Sequence, residues 1–411
     1  MQKNILIPKF GPLAGVRILI TGTLIAMPHA ATMLADFGAE VIAYERRDVG
    51  ETYRLFPPHI KNENGAVGAA FAQDARNRLN VTFNLDLSNQ ESRDIFFGLI
   101  KQSDIFMENM VWMDKFGIND DLLLELNPRL VVIHVSGLGN KNFGGIEELC
   151  NRASNDAVGQ AYSGALSING TVDQPELTYP FTNDYITGLT AAFAALSAYI
   201  HVSKTGEGQV VDVSQYESQA RVLSDLFVNF TENGFVKRPS RIPVQPAGIF
   251  MAKDRFVSLA AVGPSQFSKA LDILKFDPEY FAFKEVASGP ALFSEKGKEF
   301  DLRFREWCKN HTADEIVAAF ADKKIPCSAI NTVKDSFNEK HWHDRNNFLK
   351  YEDQTLRKEI TAFGIAPKMS KTPGMVWRGA PRLGQDNETV LKEILGYSDI
   401  KINELKDKGI L

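Results

Sequence analysis

Cysteine is scarce in this chain of 411 residues, which contains only Cys150, Cys308 and Cys327. The three are far apart, odd in number and without C-x-x-C spacing, so neither a disulfide framework nor a zinc ribbon is expected. The first residues, MQKNILIPKFGPLAG, have no long apolar core before their prolines, and a cleaved signal peptide is therefore not expected. These features favour a protein of the reducing cytoplasm.

The chain also lacks a dominant charge and a long hydrophobic run. Its formal net charge is −5, so a nucleic acid or an anionic membrane would meet no overall attraction. The longest charge-free segment, residues 186–202, is rich in Ala, Thr and Ser, and it is shorter than the roughly 20 apolar residues that a membrane-spanning helix needs. We therefore expect neither a nucleic acid nor a membrane as a partner.

Three widespread motifs of nucleotide binding and catalysis are missing. The segment after the first predicted strand, ITGTLIAMPHA, has one glycine where a dinucleotide fold needs G-x-G-x-x-G. Neither the P-loop G-x-x-x-x-G-K-[ST] nor the nucleophile elbow G-x-S-x-G occurs, which argues against P-loop phosphate chemistry and a hydrolase of that type. His341 and His343 have no obvious third ligand, so no metal site is expected.

Apolar segments of strand type alternate with segments of helical periodicity along the first half of the chain. Strands are predicted at residues 16–20, 40–44, 79–87, 103–109, 128–139 and 209–213. Helices are predicted at residues 31–37, 89–101 and 186–202, and a long helix is predicted after the last strand. This alternation is typical of an α/β fold with a parallel, doubly wound sheet.

The length of the chain exceeds one ordinary core and suggests two domains, or one large domain with an insertion. The composition shifts near Phe235, after which a strand pair and several helices predict a smaller α+β domain. Thr312 and Glu315 form a capping-box pattern at the start of one of these helices. The final residues predict two short amphipathic helices that pack back on the first domain. The predicted division is a large domain in 1–225, a small domain in 226–330 and a return to the large domain in 331–411.

One acid, Asp184, stands at the head of an otherwise uncharged helix in the segment YPFTNDYITGLTAAFAALSAY, residues 179–199. Asp is a favoured helix N-cap, as are Thr182 and Asn183 beside it, because its side chain accepts a backbone N–H at the positive end of the helix. A carboxylate that stays ionised in apolar surroundings can also act as a nucleophile. The two interpretations are compatible.

Two pairs of arginines, Arg46 with Arg47 and Arg76 with Arg78, follow segments of strand type. In α/β folds this is where ligands bind. A solvated surface is the simpler interpretation, because arginine side chains are mostly exposed in folded proteins.

Several stretches resemble one protein family in sequence order. They are PKFGPLAGVRILITG, GAEVIAYERR, DIFMEN, NPRLVVIHVSGLG, ASNDAVGQAYSGALSINGTVDQP, NDYITGLTAAFAALSAY, TGEGQVVDVSQYE, IPCSAI and WRGAPRLGQDNETVLKEILGY. The family is the class III CoA-transferases of the CaiB/BaiF type. No single stretch is decisive, but their order along nearly the whole chain is highly specific.

The resemblance implies a Rossmann-like large domain, an inserted smaller α+β domain and an interlocked homodimer. It implies no tightly bound cofactor, because coenzyme A is a substrate that moves from an acyl-CoA thioester to a small carboxylic acid. The family's catalytic carboxylate falls on Asp184. The implied reaction passes through an aspartyl anhydride and an aspartyl-CoA thioester.

The acceptor acid is predicted from finer likenesses within the family. PKFGPLAG, GTVDQP and WRGAP resemble the L-carnitine members, and ASNDAVGQAYSGALSINGT resembles the bile-acid members. We expect L-carnitine with crotonobetainyl-CoA or γ-butyrobetainyl-CoA, with a bile acid as the alternative. A trimethylammonium group binds well against aromatic rings, which makes Tyr179, Phe181 and Tyr185 candidates for the substrate pocket. Packing in the protein core is their simpler interpretation.

Matching family motifs also point to residues that contact CoA. They are Arg46, Leu85, Lys115, Ser136, Gly137, Leu138 and Gly139. Lys115 stands where the family has arginine, so the charge is kept and the bidentate geometry is lost.

The sequence departs from the family at two places. AMPH replaces a small A-G-P turn, so Met27 is expected to reshape the path of the pantetheine. The loop at residues 109–113 is short and lacks a basic residue that usually contacts CoA in the family. Trp112 in this loop is a candidate for stacking on adenine. An exposed or core tryptophan is the simpler interpretation.

Two rival functions share the expected fold. An α-methylacyl-CoA racemase would need a His–Asp pair for proton abstraction, but the matching position here holds Asn155 before Asp156. A non-catalytic CoA-binding protein would be expected to lack Asp184, which is present. The unusual AMPH segment keeps the second rival open.

Overall fold

A computed structural model describes residues 3–85, 88–110, 113–178, 181–234 and 243–411, without the side chains of residues 114 and 115. The chain divides into two compact units. One comprises Met1–Pro239 with Asn346–Leu411, and the other comprises Ser240–Arg345. The division predicted from the sequence, with boundaries at 226 and 331, places both boundaries earlier in the chain.

The strands are numbered in chain order. They are β1 (Arg17–Ile20), β2 (Glu40–Arg46), β3 (His59–Asn62), β4 (Gly65–Gly68), β5 (Arg78–Phe83), β6 (Ile105–Glu108), β7 (Val131–Ser136), β8 (Gln209–Ser214), β9 (Ala247–Met251), β10 (Phe256–Ala260), β11 (Cys327–Ala329), β12 (Phe348–Asp353) and β13 (Lys358–Phe363).

The α-helices are numbered in the same way. They are α1 (Ala26–Asp36), α2 (Ala69–Asp74), α3 (Gln90–Gln102), α4 (Asp120–Leu126), α5 (Glu147–Cys150), α6 (Asp156–Tyr162), α7 (Thr182–Thr205), α8 (Gln215–Arg221), α9 (Leu226–Asn233), α10 (Pro264–Leu274), α11 (Phe283–Val286), α12 (Glu295–Lys309), α13 (Ala313–Asp322), α14 (Val333–Asn338), α15 (Lys340–Asp344), α16 (Asn387–Glu393) and α17 (Asp399–Asp407). Short 3-10 helices lie at Thr52–Leu55, Met113–Phe116, Lys141–Phe143, Ala165–Ser167 and Gly289–Phe293.

A six-stranded sheet forms the centre of the larger unit, in the order β5-β2-β1-β6-β7-β8. All of its neighbouring strands are parallel, which confirms the predicted parallel α/β sheet. Counted along the chain, this order is 3-2-1-4-5-6, the order of Rossmann folds. The order reverses between β1 and β6, and folds of this type bind ligands outside the carboxyl ends of the strands at that point.

Apolar layers cover both faces of this sheet. In β1, Ile18 and Ile20 point to a layer that α1 and α7 complete. Leu19 points to the opposite layer, which side chains of α3, α16 and α17 complete. The alternation follows from the two-residue period of a strand. The two C-terminal helices, α16 and α17, thus pack on the larger unit, as the sequence predicts.

The helix α7 is longer than predicted and has two distinct faces. Its buried residues are mostly small, such as Ala191, Ala195 and Ala198, and they let the helix pack closely along α1. Leu189, Phe193 and other apolar residues on the opposite face are exposed. By length and composition alone, α7 is the one helix among the described residues that could cross a membrane.

The predictions were wrong for two other helices. The segment AMPH is not a turn, because α1 begins at Ala26; Pro28 is tolerated since the amides of a first helical turn have no partner within the helix. The long helix predicted after residue 213 is divided into α8 and α9. Ser224, between them, has a φ of 58°, and this left-handed conformation interrupts a helix.

The arginine pair Arg76 and Arg78 is buried, which contradicts the predicted solvated surface. Arg76 donates to both carboxylate oxygens of Asp36, at 3.0 and 2.5 Å. Arg78 donates to the hydroxyl of Thr32 at 2.6 Å. Burial is tolerated because each guanidinium has acceptors around it. These two arginines therefore stabilise the fold from its interior.

The smaller unit contains an antiparallel sheet in the order β11-β10-β9. Aromatic side chains such as Phe267, Phe300 and Phe304 fill the core beside it. Thr312 accepts the amide N–H of Glu315, and the Glu315 side chain accepts the amide of Thr312. This reciprocal pair confirms the predicted capping box and fixes the start of α13.

Candidate active site

The start of α7 lies against the start of α1. Gly188, one turn after Asp184, makes this approach close, because a Cβ atom at this position would lie 2.7 Å from the carbonyl oxygen of Ala26. Asn109, after β6, accepts the amide of Thr23 at 3.0 Å and donates to its carbonyl at 2.9 Å. This pair joins the loops after β1 and β6, where the strand order reverses. Asp184 is thus placed near the crevice expected to bind a ligand.

The N-terminus of α7 is capped by Asp156 and not by Asp184. Oδ1 of Asp156 accepts the amide N–H groups of Asn183 at 2.8 Å and of Asp184 at 3.1 Å. The N-cap position itself is Phe181, whose φ is 49° and whose side chain makes no capping bond. The capping interpretation of Asp184 is therefore wrong. Because Asp156 accepts these amides, the carboxylate of Asp184 takes no part in capping the helix.

The carboxylate of Asp184 is buried, with 9% of the residue exposed. The side-chain amide of Gln215 donates from Nε2 to Oδ1 of Asp184 at 2.5 Å. The pKa of Asp184 is raised to about 6. Burial is the largest cause, the negative charge of Asp156 acts in the same direction, and the hydrogen bond from Gln215 opposes both effects. At pH 7 most of the carboxylate is therefore ionised, with little water around it.

Asp156 is held in place by its own helix. Nε2 of Gln160 donates to Oδ2 of Asp156 at 2.7 Å. Asn155, which stands where a racemase would have its histidine, caps α6 by accepting the amide of Val158 at 3.1 Å. Asn155 therefore has a structural role, and an asparagine side chain supplies no base for proton abstraction.

The aromatic side chains near Asp184 belong to a cluster around Asp74. Tyr53 and Tyr185 donate their hydroxyls to Oδ2 of Asp74 at 3.0 and 3.1 Å, and the His29 ring meets the edge of Tyr185 at 4.8 Å between centroids. The Phe181 ring packs against the Phe56 ring, with 5.6 Å between the ring centroids. Phe181 and Tyr185 thus have packing partners inside the larger unit. Tyr179, the third predicted residue of the pocket, lies outside the described residues.

The residues predicted to contact CoA lie in different environments. Arg46 is exposed at the end of β2. Leu85 is buried in the apolar layer on one face of the sheet, which agrees with a role in packing. The side chain of Lys115 and the residue Trp112 lie outside the described part of the chain.

Residues 136–139 form a tight loop at the carboxyl end of β7. The hydroxyl of Ser136 accepts the amide of Gly139 at 2.9 Å. Gly139 has a φ of 95°, a conformation that suits glycine. Leu138 is buried, and Gly137 packs against Ser154. Met27 is fully buried against Gly22; its expected effect on the path of the pantetheine stays a prediction.

The sequence interpretation missed Asp156 and Gln215 as parts of the site. Both lie far from Asp184 in the chain, and only the fold brings the three side chains together. Among the described residues, no group of three His, Cys, Asp or Glu side chains is placed to hold a metal ion. The described site is one buried carboxylate that is oriented by an amide and lies beside a second carboxylate.

A family model for CoA-transferase family III matches residues 13–387. The chain belongs to CoA-transferase family III. It is an enzyme of the CoA-transferase type, and the family implies acyl-CoA thioesters and carboxylic acids as substrates. A curated relative, bile acid CoA-transferase BaiK of Clostridium scindens (strain JCM 10418 / VPI 12708), is 35% identical over 98% of this chain and 90% of its own length.

Solved structures support the fold. A CAIB/BAIF family protein from Brucella suis is 24% identical, with a TM-score of 0.79 over 94% of this chain and 100% of that chain. The Rv3272 protein of M. tuberculosis is 20% identical, with a TM-score of 0.79 over 93% of this chain and 99% of that chain. At these identities the likeness concerns the arrangement of helices and strands.

Proposed function

We propose that this family III CoA-transferase moves CoA from an acyl-CoA thioester to a bile acid through covalent intermediates on Asp184. The observation that carries the proposal is the buried carboxylate of Asp184 at the start of α7. It does not cap the helix, and one of its oxygens accepts a hydrogen bond from Gln215. A carboxylate in such surroundings loses much of its hydration and keeps its negative charge, and both properties favour nucleophilic attack.

The reaction begins when Oδ2 of Asp184 attacks the thioester carbonyl carbon. The C–S bond breaks, CoA leaves as a thiolate, and a mixed anhydride forms. The thiolate then attacks Cγ of Asp184 and expels the donor acid as a carboxylate, which leaves an aspartyl-CoA thioester. The carboxylate of the acceptor attacks Cγ in turn and releases the thiolate. Finally, the thiolate attacks the acceptor's acyl carbon, which forms the new thioester and restores Asp184.

Every step exchanges one anionic nucleophile for another, so the cycle needs no metal ion, nucleotide triphosphate or net proton transfer. Its main hazard is water, because an anhydride hydrolyses readily. Burial of Asp184 limits that side reaction. The small residues of α7 allow this helix to pack closely on α1, and such packing also helps to keep water away from the site.

The choice of acceptor rests on two observations. A relative named as a bile acid CoA-transferase is similar over nearly the whole chain, which favours the bile-acid alternative over L-carnitine. Of the predicted aromatic residues, the two that the structure describes already have partners: Tyr185 donates its hydroxyl to Asp74, and Phe181 packs on Phe56. The interlocked homodimer, the inserted small domain and the cytoplasmic location stay predictions from the sequence.

An exchange assay tests the substrate. We expect CoA transfer from a bile-acyl-CoA thioester to a second, isotopically labelled bile acid, with a kcat/KM at least roughly a hundredfold above that for γ-butyrobetainyl-CoA with L-carnitine. The physical reason is that a steroid buries far more apolar surface on binding than a small cation does. A higher kcat/KM for the carnitine pair would contradict the choice of substrate. Absence of exchange with any acid would contradict the transferase chemistry itself.

A further inference from the structure

We propose that Gln215 takes part in the transfer reaction: its amide fixes Oδ1 of Asp184 and stabilises the negative charge that develops on this oxygen when Cγ is attacked. This inference rests on the proposed function of Asp184. It assigns a second residue to the chemistry. It also gives the two oxygens of Asp184 different roles: one attacks, and the other accepts the hydrogen bond from Gln215.

The position of Gln215 is defined by the sheet. It is the first residue of α8, directly after the carboxyl end of β8, and 9% of it is exposed. Nε2 donates to Oδ1 of Asp184 at 2.5 Å. At its other end, Oε1 accepts the hydroxyl of Ser154 at 2.9 Å. Because a hydroxyl donates to Oε1, the amide is oriented with its N–H groups towards Asp184.

Two glycines make room for this arrangement. A Cβ atom at Gly137 would lie 2.0 Å from Cβ of Ser154 and 3.5 Å from Oε1 of Gln215. A Cβ atom at Gly159 would lie 3.0 Å from Cβ of Gln215 and 1.9 Å from Nδ2 of Asn183. Neither glycine has a positive φ, so close packing is what requires glycine at these positions. Gly137, predicted to contact CoA, thus supports the Ser154–Gln215 pair.

The hydrogen bond assigns different roles to the two oxygens of Asp184. Oδ1 is engaged by Gln215, and no bond to Oδ2 from another described residue is found, so Oδ2 is the oxygen that attacks. After the attack, Oδ2 bridges to the acyl group and Oδ1 becomes the carbonyl oxygen of the aspartyl anhydride. It still faces the N–H of Gln215.

Two later steps place negative charge on Oδ1. When the CoA thiolate attacks Cγ of the anhydride, the electron pair of the C=O bond moves to Oδ1, and it returns as the donor carboxylate leaves. The same movement occurs when the acceptor carboxylate attacks Cγ of the aspartyl-CoA thioester and the thiolate leaves. A donor already in place at this oxygen stabilises both transition states, and removal of one such donor costs about a hundredfold to a thousandfold in rate.

Three variants separate this role from simple packing. Gln215→Leu removes the donor, and Gln215→Glu keeps the size and shape but replaces the N–H group with an oxygen. Gln219→Leu is the matched control, because Gln219 lies one turn later on α8, is similarly buried at 8% exposed, and makes no bond to Asp184. Melting temperatures and the dissociation constant for a non-reactive thioether analogue of a bile-acyl-CoA report on folding and binding.

The measurement is the rate of aspartyl-CoA formation in a single turnover, followed by rapid acid quench and intact-protein mass spectrometry with a bile-acyl-CoA thioester. We expect this rate to fall by about a hundredfold or more in Gln215→Leu and at least as far in Gln215→Glu. Thioether binding should change by less than about threefold, since the donor acts mainly in the transition state. Gln219→Leu should match the wild-type protein.

Several results would overturn the inference. A Gln215→Leu rate near that of the wild-type protein would remove Gln215 from the chemistry while leaving Asp184 in place. A wild-type rate in Gln215→Glu, or thioether binding that weakens as much as the rate falls, would assign Gln215 a packing role only. If the wild-type protein forms no adduct on Asp184, the proposed function fails and this inference fails with it.

Discussion

Asp184→Asn is expected to abolish CoA transfer and to make the fold more stable. Loss of the nucleophile should lower kcat by at least roughly a thousandfold, since the amide cannot form the anhydride. Stability should rise because the folded protein holds a buried carboxylate beside the charge of Asp156. Asparagine has nearly the same shape, keeps an acceptor for Gln215 and carries no charge.

The pKa of Asp184 gives the size and sign of the stability effect. Its pKa is raised from 3.8 to about 6 in the folded protein, so ionisation above pH 6 disfavours the fold by on the order of 3 kcal/mol. Asp184→Asn should therefore gain up to that amount at pH 7. The gain should fall to less than about 1 kcal/mol at pH 4 and vanish below about pH 3, where Asp184 is protonated in both the folded and the unfolded protein.

Urea denaturation of the wild-type and variant proteins at pH 7.0 and pH 4.0 measures this effect, and an exchange assay measures the activity. Asp173→Asn serves as a control, because Asp173 is exposed and makes no contact with the site. Transfer by Asp184→Asn within tenfold of the wild-type rate would contradict the nucleophilic role. A loss of stability at pH 7 would contradict the burial of an ionised carboxylate.

Asp156→Ala is expected to have the opposite effect on stability. Asp156 accepts two backbone amides at the start of α7 and the side-chain amide of Gln160. Without it, these buried donors lose a charged acceptor, which should cost about 3 kcal/mol after the relief of repulsion from Asp184 is included. The two neighbouring carboxylates are thus expected to differ in role: Asp156 stabilises the fold, and Asp184 is the proposed nucleophile.

The same variant should change the pH dependence of transfer. Only ionised Asp184 attacks the thioester, so kcat/KM of the wild-type protein should rise with pH through about 6. Removal of the charge on Asp156 should lower the pKa of Asp184 and move this rise to lower pH. The charged and titratable groups that interact with Asp184 among the described residues are Asp156 on α6 and Tyr185 on α7 itself.

A pH–rate profile and urea denaturation of Asp156→Ala test both statements. Asp156→Asn is the matched variant, because it keeps an acceptor for the amides while it removes the charge. It should move the profile in the same direction and lose less stability. A profile that stays at the wild-type position in both variants would show that Asp156 does not influence Asp184.

The central sheet could be predicted from the sequence because its strands are short apolar runs separated by helical periodicity. Segments such as VRILI and LVVIHV are buried on both faces, which gives a continuous apolar signal. Helix boundaries were predicted less well. The family's A-G-P turn suggested a turn at AMPH, where α1 has already begun. Nothing in RVLSDLF marks the left-handed conformation of Ser224 that divides α8 from α9.

Asp184 could be found because it is a lone acid in an apolar segment with a family motif around it. Its partners could not, because Asp156 and Gln215 reach it through the fold from 28 and 31 residues away in the chain. The burial of Arg76 could not be predicted from the sequence for the same reason, because its partner Asp36 lies 40 residues earlier in the chain. Gly137 and Gly159 gave a weak signal of the close packing around Gln215, because a glycine in or beside a regular element often marks a close approach of its neighbours.

Covalent labelling tests the central claim most directly. The wild-type protein is mixed with a bile-acyl-CoA thioester, trapped with hydroxylamine during turnover, digested and examined by mass spectrometry. We expect a hydroxamate on the peptide that contains Asp184, and none on the peptide that contains its neighbour Asp156. An unmodified Asp184 during turnover, or a label on Asp156, would contradict the assignment of the nucleophile.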